Sequence, residues 1–598
     1  MPKKEILNSK RRQEILPWFA IALLIVLLFS VFYNFGIIGG DDINVVEYNI
    51  QEENLCKQIS TSWQLFLSGQ ERSIISTVFS LICNKIQCSF GLLWFRLCNV
   101  TAILFSLYIA AKFVRYLLGR KAALFYTILF LLFVQVYDGT VDYGSFSAFL
   151  SMGISYQLKI VFVLSCLYEF MLYFDDMRAK HLFWSALFYF MSCALYEAFT
   201  LLCIPVFVIA LLCLKRGNDL SLKALWRSLF PSITAGILYL IYYFLPHYFF
   251  GKFNYNGIVV SQTASLRDRL VAWLEFTLQS APLRLSFISK EYSVTDALIS
   301  TFHDSPLLFG LEIVCFLFVA VCVNFLLRQL PVIPKRKIGR IILCCALCAF
   351  SATFLIAQTV NYSTIATSHD PQTQQMAISY FPYFFIIAIL VCSALLITHL
   401  KGKAFQTAAL LLSLLVFVGG LITWTSNSYY KNKFNKRYYS LEEMFSTSAF
   451  AQVQDGDTLL AYKYVDFHKK YDRVEDCIFE LTGKHISIEE FSYDTDTVQI
   501  SGTWYLKYNY PAGNLVFTYI GEDFASNEVW VFFPNYQGDE VMYLDCGENF
   551  GQLRKFPLDG RPSNLMESID FETTENGYTL VHMVTKTPYD FRHTHADF

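Results

Sequence analysis

Residues 16–42 read LPWFAIALLIVLLFSVFYNFGIIGGDD. An apolar run from Leu16 to Ile38 is long enough to cross a bilayer, because about 20 residues at 1.5 Å rise each span the roughly 30 Å hydrocarbon core. It ends in Gly39-Gly40-Asp41-Asp42, which sets two adjacent carboxylates where the chain leaves the membrane, in reach of both lipid headgroups and water. Working outward, runs of similar length recur at 92–111, 122–137, 158–174, 182–196, 198–214, 229–250, 306–328, 339–359, 379–398 and 405–424. With the first they make eleven predicted spans. The pair 182–196 and 198–214 is read as two short helices broken around Glu197 and Pro205, since one continuous helix there overshoots the bilayer. A chain of 598 residues that is 55% hydrophobic, 17% aromatic and 16% charged fits this class and no soluble one.

The connections carry an orientation. Lys and Arg crowd the N-terminus (Lys3, Lys4, Lys10, Arg11, Arg12) and every second loop after it: Lys112 to Lys121, Arg178 and Lys180, Lys215 to Arg227, Arg328 to Arg340, and Lys401 with Lys403. The alternate loops, 39–91, 138–157, 251–305 and 360–378, are poor in them. The basic side is therefore read as cytoplasmic, with residues 1–15 a basic cytoplasmic N-terminus and the first run an uncleaved anchor. Of the 16 cysteines most lie in apolar runs, where they serve as small core hydrophobes, and a Cys477–Cys546 pair is the one disulfide considered outside them.

The first outer loop is too long to be a simple connection. Leu55, Ile59, Trp63 and Phe66 recur at helical spacing and predict an amphipathic interfacial helix; a second is expected over Ile74 to Ile86. Loop 251–305 holds Arg267, Arg269, Arg284 and Lys290, a basic cluster on an otherwise base-poor side and a candidate clamp for a lipid-linked phosphate. From residue 425 to 598 no spanning run occurs and acidic residues outnumber basic ones. Alternating stretches at 458–462, 514–518 and 529–533, with Asp455-Gly456, Asp559-Gly560 and Asn576-Gly577 between runs, predict a β-rich extracytoplasmic domain joined through a helix near Leu441–Val453. His593, His595 and Asp597 are read as a terminal tail. Nothing points to nucleic acid.

Ionisable groups near hydrocarbon are expensive and are read as functional first. At the outer level these are Asp41, Asp42, Asp138, Asp142, Glu197 and Arg96. Glu169 and Glu312, inside spans, are expected to make structural bonds between helices.

The acidic pair after the first span, the long first outer loop with two interfacial helices, Tyr196-Glu197 with Pro205 following, and a soluble domain after the last span together resemble the GT-C superfamily of polytopic glycosyltransferases. That superfamily includes the protein O-mannosyltransferases and bacterial polyprenyl-phosphate-sugar-dependent transferases. The resemblance covers residues 16–424 and implies an α-helical polytopic fold of about eleven spans carrying the β-rich domain 425–598. It implies transfer, with inversion, of a sugar from a polyprenyl-phosphate-linked donor to a glycan, lipid-linked saccharide or cell-envelope acceptor at the outer face of the cell membrane. Asp41 is then the expected base and Asp42 the orienting carboxylate, though Asp-Asp stands where the mannosyltransferases favour Asp-Glu and the two roles could be exchanged. Glu197, Asp138 and Asp142 would shape the substrate pocket, and Arg267, Arg269, Arg284 or Lys290 would meet the phosphate. The resemblance leaves room for a divalent metal, but no ligand set in the sequence indicates one. The competing reading is a lipid or polysaccharide transporter or flippase; that class favours charges near the bilayer midplane and two related halves, and neither is visible here.

Overall fold

The computed structural model describes residues 2–33, 55–67, 73–136, 149, 153–217, 220–250, 264–283, 294–304, 306–359, 380–438, 440–462, 474–490, 502–509, 514–520, 525–533, 540–544, 553–557, 566–574 and 579–590. The helices are α1 Pro2–Phe32, α2 Leu55–Leu67, α3 Ile74–Gln87, α4 Gly91–Leu118, α5 Arg120–Leu132, α6 Gly153–Asp176, α7 Ala179–Leu195, α8 Cys203–Arg216 and α9 Leu222–Phe250. They continue as α10 Leu266–Leu278, α11 Val294–Asp304, α12 Pro306–Leu327, α13 Lys335–Ala357, α14 Tyr380–Ile397 and α15 Gly402–Tyr438. Each of the eleven predicted spans coincides with a helix. Among the described residues, nine helical segments are long and apolar enough to cross a membrane. Their outward faces are apolar, as in α12, where Leu311, Val314, Leu317 and Val321 are exposed while Phe316, Val319 and Val323 are buried. A helix that is apolar all round needs lipid on its free face. This is a polytopic membrane fold.

Two of the eleven are short. α5 has 13 residues and is buried along most of its length. It follows α4 with a single intervening residue, Gly119, whose φ of +93° is the left-handed conformation that a side chain disfavours. At its other end the backbone leaves the helix early, and its carbonyls find side-chain partners instead of a further turn. Trp424 Nε1 donates to Leu132 O (3.0 Å) and Asn427 Nδ2 to Val134 O (3.0 Å), while Asn427 Oδ1 accepts from Val136 N (2.9 Å). Gly419 and Gly420 on α15 make this approach possible, since a Cβ there would stand 2.7 Å from Phe133 Cε1 and 2.6 Å from Leu132 Cδ1.

The expected break near Glu197 is present. α7 stops at Leu195, Tyr196 is extended (φ −159°, ψ 112°), and Glu197–Leu202 forms a 3₁₀ turn that runs into α8. Pro205 does not cause the break; it lies in the first turn of α8, where its missing N–H costs nothing.

Helices form at both expected positions of the first long loop, but α2 is rotated relative to the simplest reading. Gln58, Ser62 and Phe66 make its buried stripe, Trp63 is 48% exposed, and Phe66 stacks on Tyr242 of α9 at 6.0 Å. α3 is tied to α9 by Tyr242 Oη, which accepts from Ile75 N (3.2 Å) and pairs with Ser73 Oγ (2.9 Å).

α15 runs on to Tyr438, past the expected boundary at 424. Beyond it lie two short helices, Ser440–Phe445 and Ser448–Ala451, in place of the single helix expected there. The predicted strands form as β1 Thr458–Tyr462, β4 Asn514–Tyr519 and β5 Ala525–Phe533, with β2 Ser487–Glu490, β3 Thr503–Asn509, β6 Glu540–Leu544, β7 Leu553–Pro557, β8 Met566–Thr573 and β9 Thr579–Asp590. Seven of them make one sheet in the order β2-β1-β3-β4-β5-β9-β8, and β6 pairs with β7 separately. The sheet is mixed: β1 runs parallel to β2 and β3, and all other pairings are antiparallel. The parallel β1–β2 pair requires a crossover, which contains the helix Val474–Thr482 that the sequence pattern did not reveal. Trp504, Phe517 and Trp530 line one face of the sheet and join Phe445 and Phe450 of the short helices in a single core. Asp559, Gly560, Asn576, Gly577, Cys546 and the tail residues His593, His595 and Asp597 lie outside the described residues.

Candidate functional site

Ends of several helices remote from the basic connections converge on the Tyr196–Glu197 turn. Its backbone is closed by local bonds: Tyr196 N to Ser192 O (3.0 Å), Phe199 N to Tyr196 O (3.0 Å) and Thr200 Oγ1 to Glu197 O (2.7 Å). Tyr189 Oη holds Thr200 O (2.7 Å). Ser76 of α3 donates to Leu195 O (2.8 Å), satisfying a carbonyl that the helix end leaves open. α3 therefore sits directly on the turn. Glu197 is half-buried and lies within electrostatic reach of Tyr239 on α9.

Beside the turn is a buried lysine. Lys159 of α6 is 5% exposed, with its Nζ 5.1 Å from the Tyr156 ring centroid and 5.2 Å from that of Tyr196. Those two rings meet at 5.6 Å, and Phe381 of α14 packs against both, at 4.9 Å and 5.7 Å. A ring face attracts a desolvated ammonium by about 0.5–2 kcal/mol. Burial pushes the Cys83 thiol of α3 up to about 11, and the nearby Lys159 charge acts in the opposite sense.

Gln87 stitches the surrounding helices together. Its Nε2 donates to Phe95 O (3.3 Å) and to Asn99 Oδ1 on α4, and its Oε1 accepts from Ile154 N (3.0 Å) at the start of α6. Arg96, one turn before Asn99, is 2% exposed, with its guanidinium 5.1 Å from the Phe95 ring. Asn99 Nδ2 and Gln157 Oε1 are buried without a hydrogen-bond partner. Buried amide groups are rarely left in that state, so this wall has polar capacity beyond what the helices consume.

Of the expected site residues, Asp41, Asp42, Asp138, Asp142, Arg284 and Lys290 lie outside the described residues. Glu197 stands in the cluster just built. Arg267 is exposed at the start of α10, and Arg269 places Nε and Nη2 on Ala264 O at 3.2 and 3.0 Å, just ahead of its own helix. α10 opens with a capping box between Ser265 and Asp268. It is fixed to α13 by Trp273 Nε1 to Phe350 O (2.8 Å) and by the Thr277–Thr353 hydroxyl pair (2.6 Å). The Glu197 turn packs on the same α13, so that helix carries both groups. Among the described residues no group of three or more His, Cys, Asp or Glu side chains could hold a metal ion. Glu169 and Glu312 make the expected bonds between helices, to His181 Nδ1 (2.6 Å) and to Ser428 Oγ (3.4 Å).

Lys159 is the residue that the sequence pattern did not single out. The signal was present, since a lone basic residue follows Leu158 inside an otherwise apolar run, and such a residue is a site candidate by default.

No protein-family model matches the chain, and no curated protein matches it. Among solved structures, the chain is similar to the crystal structure of ArnT from Cupriavidus metallidurans in the apo state, at 11% identity and a TM-score of 0.35, over 82% of this chain and 92% of that one. It is likewise similar to the crystal structure of ArnT from Cupriavidus metallidurans bound to undecaprenyl phosphate, at 10% identity and a TM-score of 0.36, over the same shares of the two chains.

Proposed function

We propose that this chain is a membrane glycosyltransferase that moves a sugar from a polyprenyl-phosphate-linked donor to an acceptor hydroxyl at the extracytoplasmic face. The observation that carries the reading is the half-buried carboxylate of Glu197 in an aromatic-lined turn, with the buried Lys159 ammonium 5.2 Å from the ring of the preceding Tyr196, at the end of the bundle remote from the basic connections. Basic connections mark the cytoplasmic side, so that end faces outward. An odd number of spans then carries residues 425–598 to the same outer side as a separate domain.

A lipid-linked sugar presents its anomeric carbon at the membrane surface, with phosphate as leaving group. In the proposed reaction the acceptor oxygen attacks that carbon, and its proton passes to a carboxylate. The bond between the anomeric carbon and the phosphate oxygen breaks, and the phosphate keeps the electron pair. No nucleotide is needed. Asp41, at the exit of the first span, is assigned as base, with Asp42 orienting the acceptor. A carboxylate at the membrane edge with another beside it has the raised proton affinity that the role requires. Glu197 binds sugar or acceptor hydroxyls, with Asp138 and Asp142 as further members of the pocket. Arg267, Arg269, Arg284 and Lys290 attract the anionic donor to the entrance. Attack opposite the departing phosphate makes the displacement inverting.

The test is transfer of radiolabelled sugar from polyprenyl-phosphate-linked donors in proteoliposomes, comparing wild type with Asp41→Asn and Asp42→Asn. Loss of transfer in either variant at unchanged folding supports the assignment. Undiminished transfer in both removes the pair from the chemistry. Movement of lipid or sugar across the bilayer with no new glycosidic bond favours the transporter.

A further inference from the structure

We propose that the bundle holds a binding site for one monovalent alkali cation, built by Glu312 of α12 with the hydroxyls of Thr301 on α11 and of Thr425 and Ser428 on α15. Glu312 lies in a membrane-spanning segment and is 3% exposed. Its Oε1 accepts from Ser428 Oγ at 3.4 Å, long for a hydroxyl donor, and its Oε2 is buried without a hydrogen-bond partner. No Lys, Arg or His among the described residues offsets its charge. Lys431, one turn beyond Ser428, places its ammonium on Ser30 O of α1 (2.6 Å). Two further oxygens are in the same state as Glu312 Oε2: Thr301 Oγ1 and Thr425 Oγ1, on residues 2% and 1% exposed. They are not scattered. α11, α12 and α15 pack on one another, and Thr425 stands one turn before Ser428, the residue that Glu312 meets. Three mutually packed helices thus each bury an oxygen that the fold itself does not use.

The donor set selects the ligand. Buried polar atoms are paired as a rule, so three unpaired oxygens at one helix junction mark a group that is held there. All the donors are hard oxygens, which suit alkali and alkaline-earth cations and not the softer transition metals. One carboxylate balances one positive charge. A divalent ion would leave the site with a net charge in hydrocarbon, where unbalanced charge is expensive. The hydroxyls complete the coordination without adding charge. A cation there ties α11 and α12 to α15, the helix that leads into the β-rich domain. The site uses neither the acidic pair nor Glu197, so it stands or falls independently of sugar transfer.

The experiment measures equilibrium binding of radioactive sodium, and of radioactive rubidium as the potassium surrogate, to the full-length protein in nanodiscs of zwitterionic lipid. Thermal unfolding of the same samples is followed in sodium, potassium or choline chloride at equal ionic strength. Wild type should bind sodium or rubidium saturably, and its unfolding temperature should rise with that cation and not with choline. Glu312→Gln, which keeps the shape and removes the charge, should lower the affinity at least tenfold and make unfolding insensitive to the choice of cation. Thr425→Val keeps the carboxylate, should weaken binding about tenfold, and carries the test should Glu312→Gln not fold. A wild type that binds neither ion overturns the proposal and leaves a proton as the group that neutralises Glu312. Binding that is unchanged in both variants places the ion elsewhere and overturns it as well.

Discussion

Asn427→Ala probes the bracket that ends α5. In the structure this fully buried amide accepts from Val136 N at 2.9 Å, donates to Val134 O at 3.0 Å and receives Gln135 Nε2 at 3.4 Å. Truncation leaves one buried backbone N–H and one buried carbonyl without these partners. Each stranded group costs about 1–3 kcal/mol, which gives about 2–6 kcal/mol in all. Measured side-chain bonds between membrane helices average nearer 0.6 kcal/mol, so about 2 kcal/mol is the firmer expectation. Ser426→Ala, which removes only the acceptor for Gln135 at 3.2 Å, should cost less than about 1 kcal/mol and serves as the matched control. Purified variants in one detergent are compared by tryptophan-fluorescence unfolding, with denaturant midpoints converted through a common slope. An Asn427→Ala protein as stable as Ser426→Ala would refute the claim that the side chain closes the end of α5.

Further outcomes follow from other contacts. Gly420→Ala should destabilise by about 1–3 kcal/mol on the same fluorescence scale, because its Cβ would stand 2.6 Å from Leu132 Cδ1 inside a packed interface. Cys83 should react with maleimide at pH 8 about a hundredfold more slowly than an ordinary thiol. Its thiolate appears only as pH rises through about 11 rather than about 9, so labelling should climb about tenfold per pH unit between 8 and 10. Glu197→Gln should lower sugar transfer at least tenfold while leaving polyprenyl phosphate binding intact, which separates a role toward sugar or acceptor from one toward the leaving group; kcat and KM for the two substrates make the comparison.

The membrane architecture was legible because its signal is local. A run such as Leu16 to Ile38 declares a span by length alone, and the clustering of Arg and Lys in alternate connections orders the loops. The break at Tyr196–Glu197 was legible for the same reason, since two half-length runs abut there. What stayed hidden depends on distant partners. α5 ends at Leu132 because Trp424 and Asn427, nearly 300 positions away, take the carbonyls of Leu132 and Val134. α2 turns Gln58 and Ser62 inward and Trp63 outward, a choice set by its packing on α3 and α9 that helical spacing alone cannot announce. The helix between β1 and β2 follows from a parallel pairing that alternation along single strands cannot announce. Lys159 lies at the edge of a span predicted from 158, where the pattern does not mark it. α6 instead begins at Gly153, which sets the lysine inside the helix and between two rings.

The central claim, an outward-facing transfer site, is tested most directly by sidedness. Proteoliposomes are sorted by protease access to residues 440–590, and labelled donor is supplied to one leaflet only. The account predicts a new glycosidic bond only when donor and acceptor are on the side that carries the sheet. Product formed at the face of the basic connections, or donor translocated with no bond formed, would contradict it.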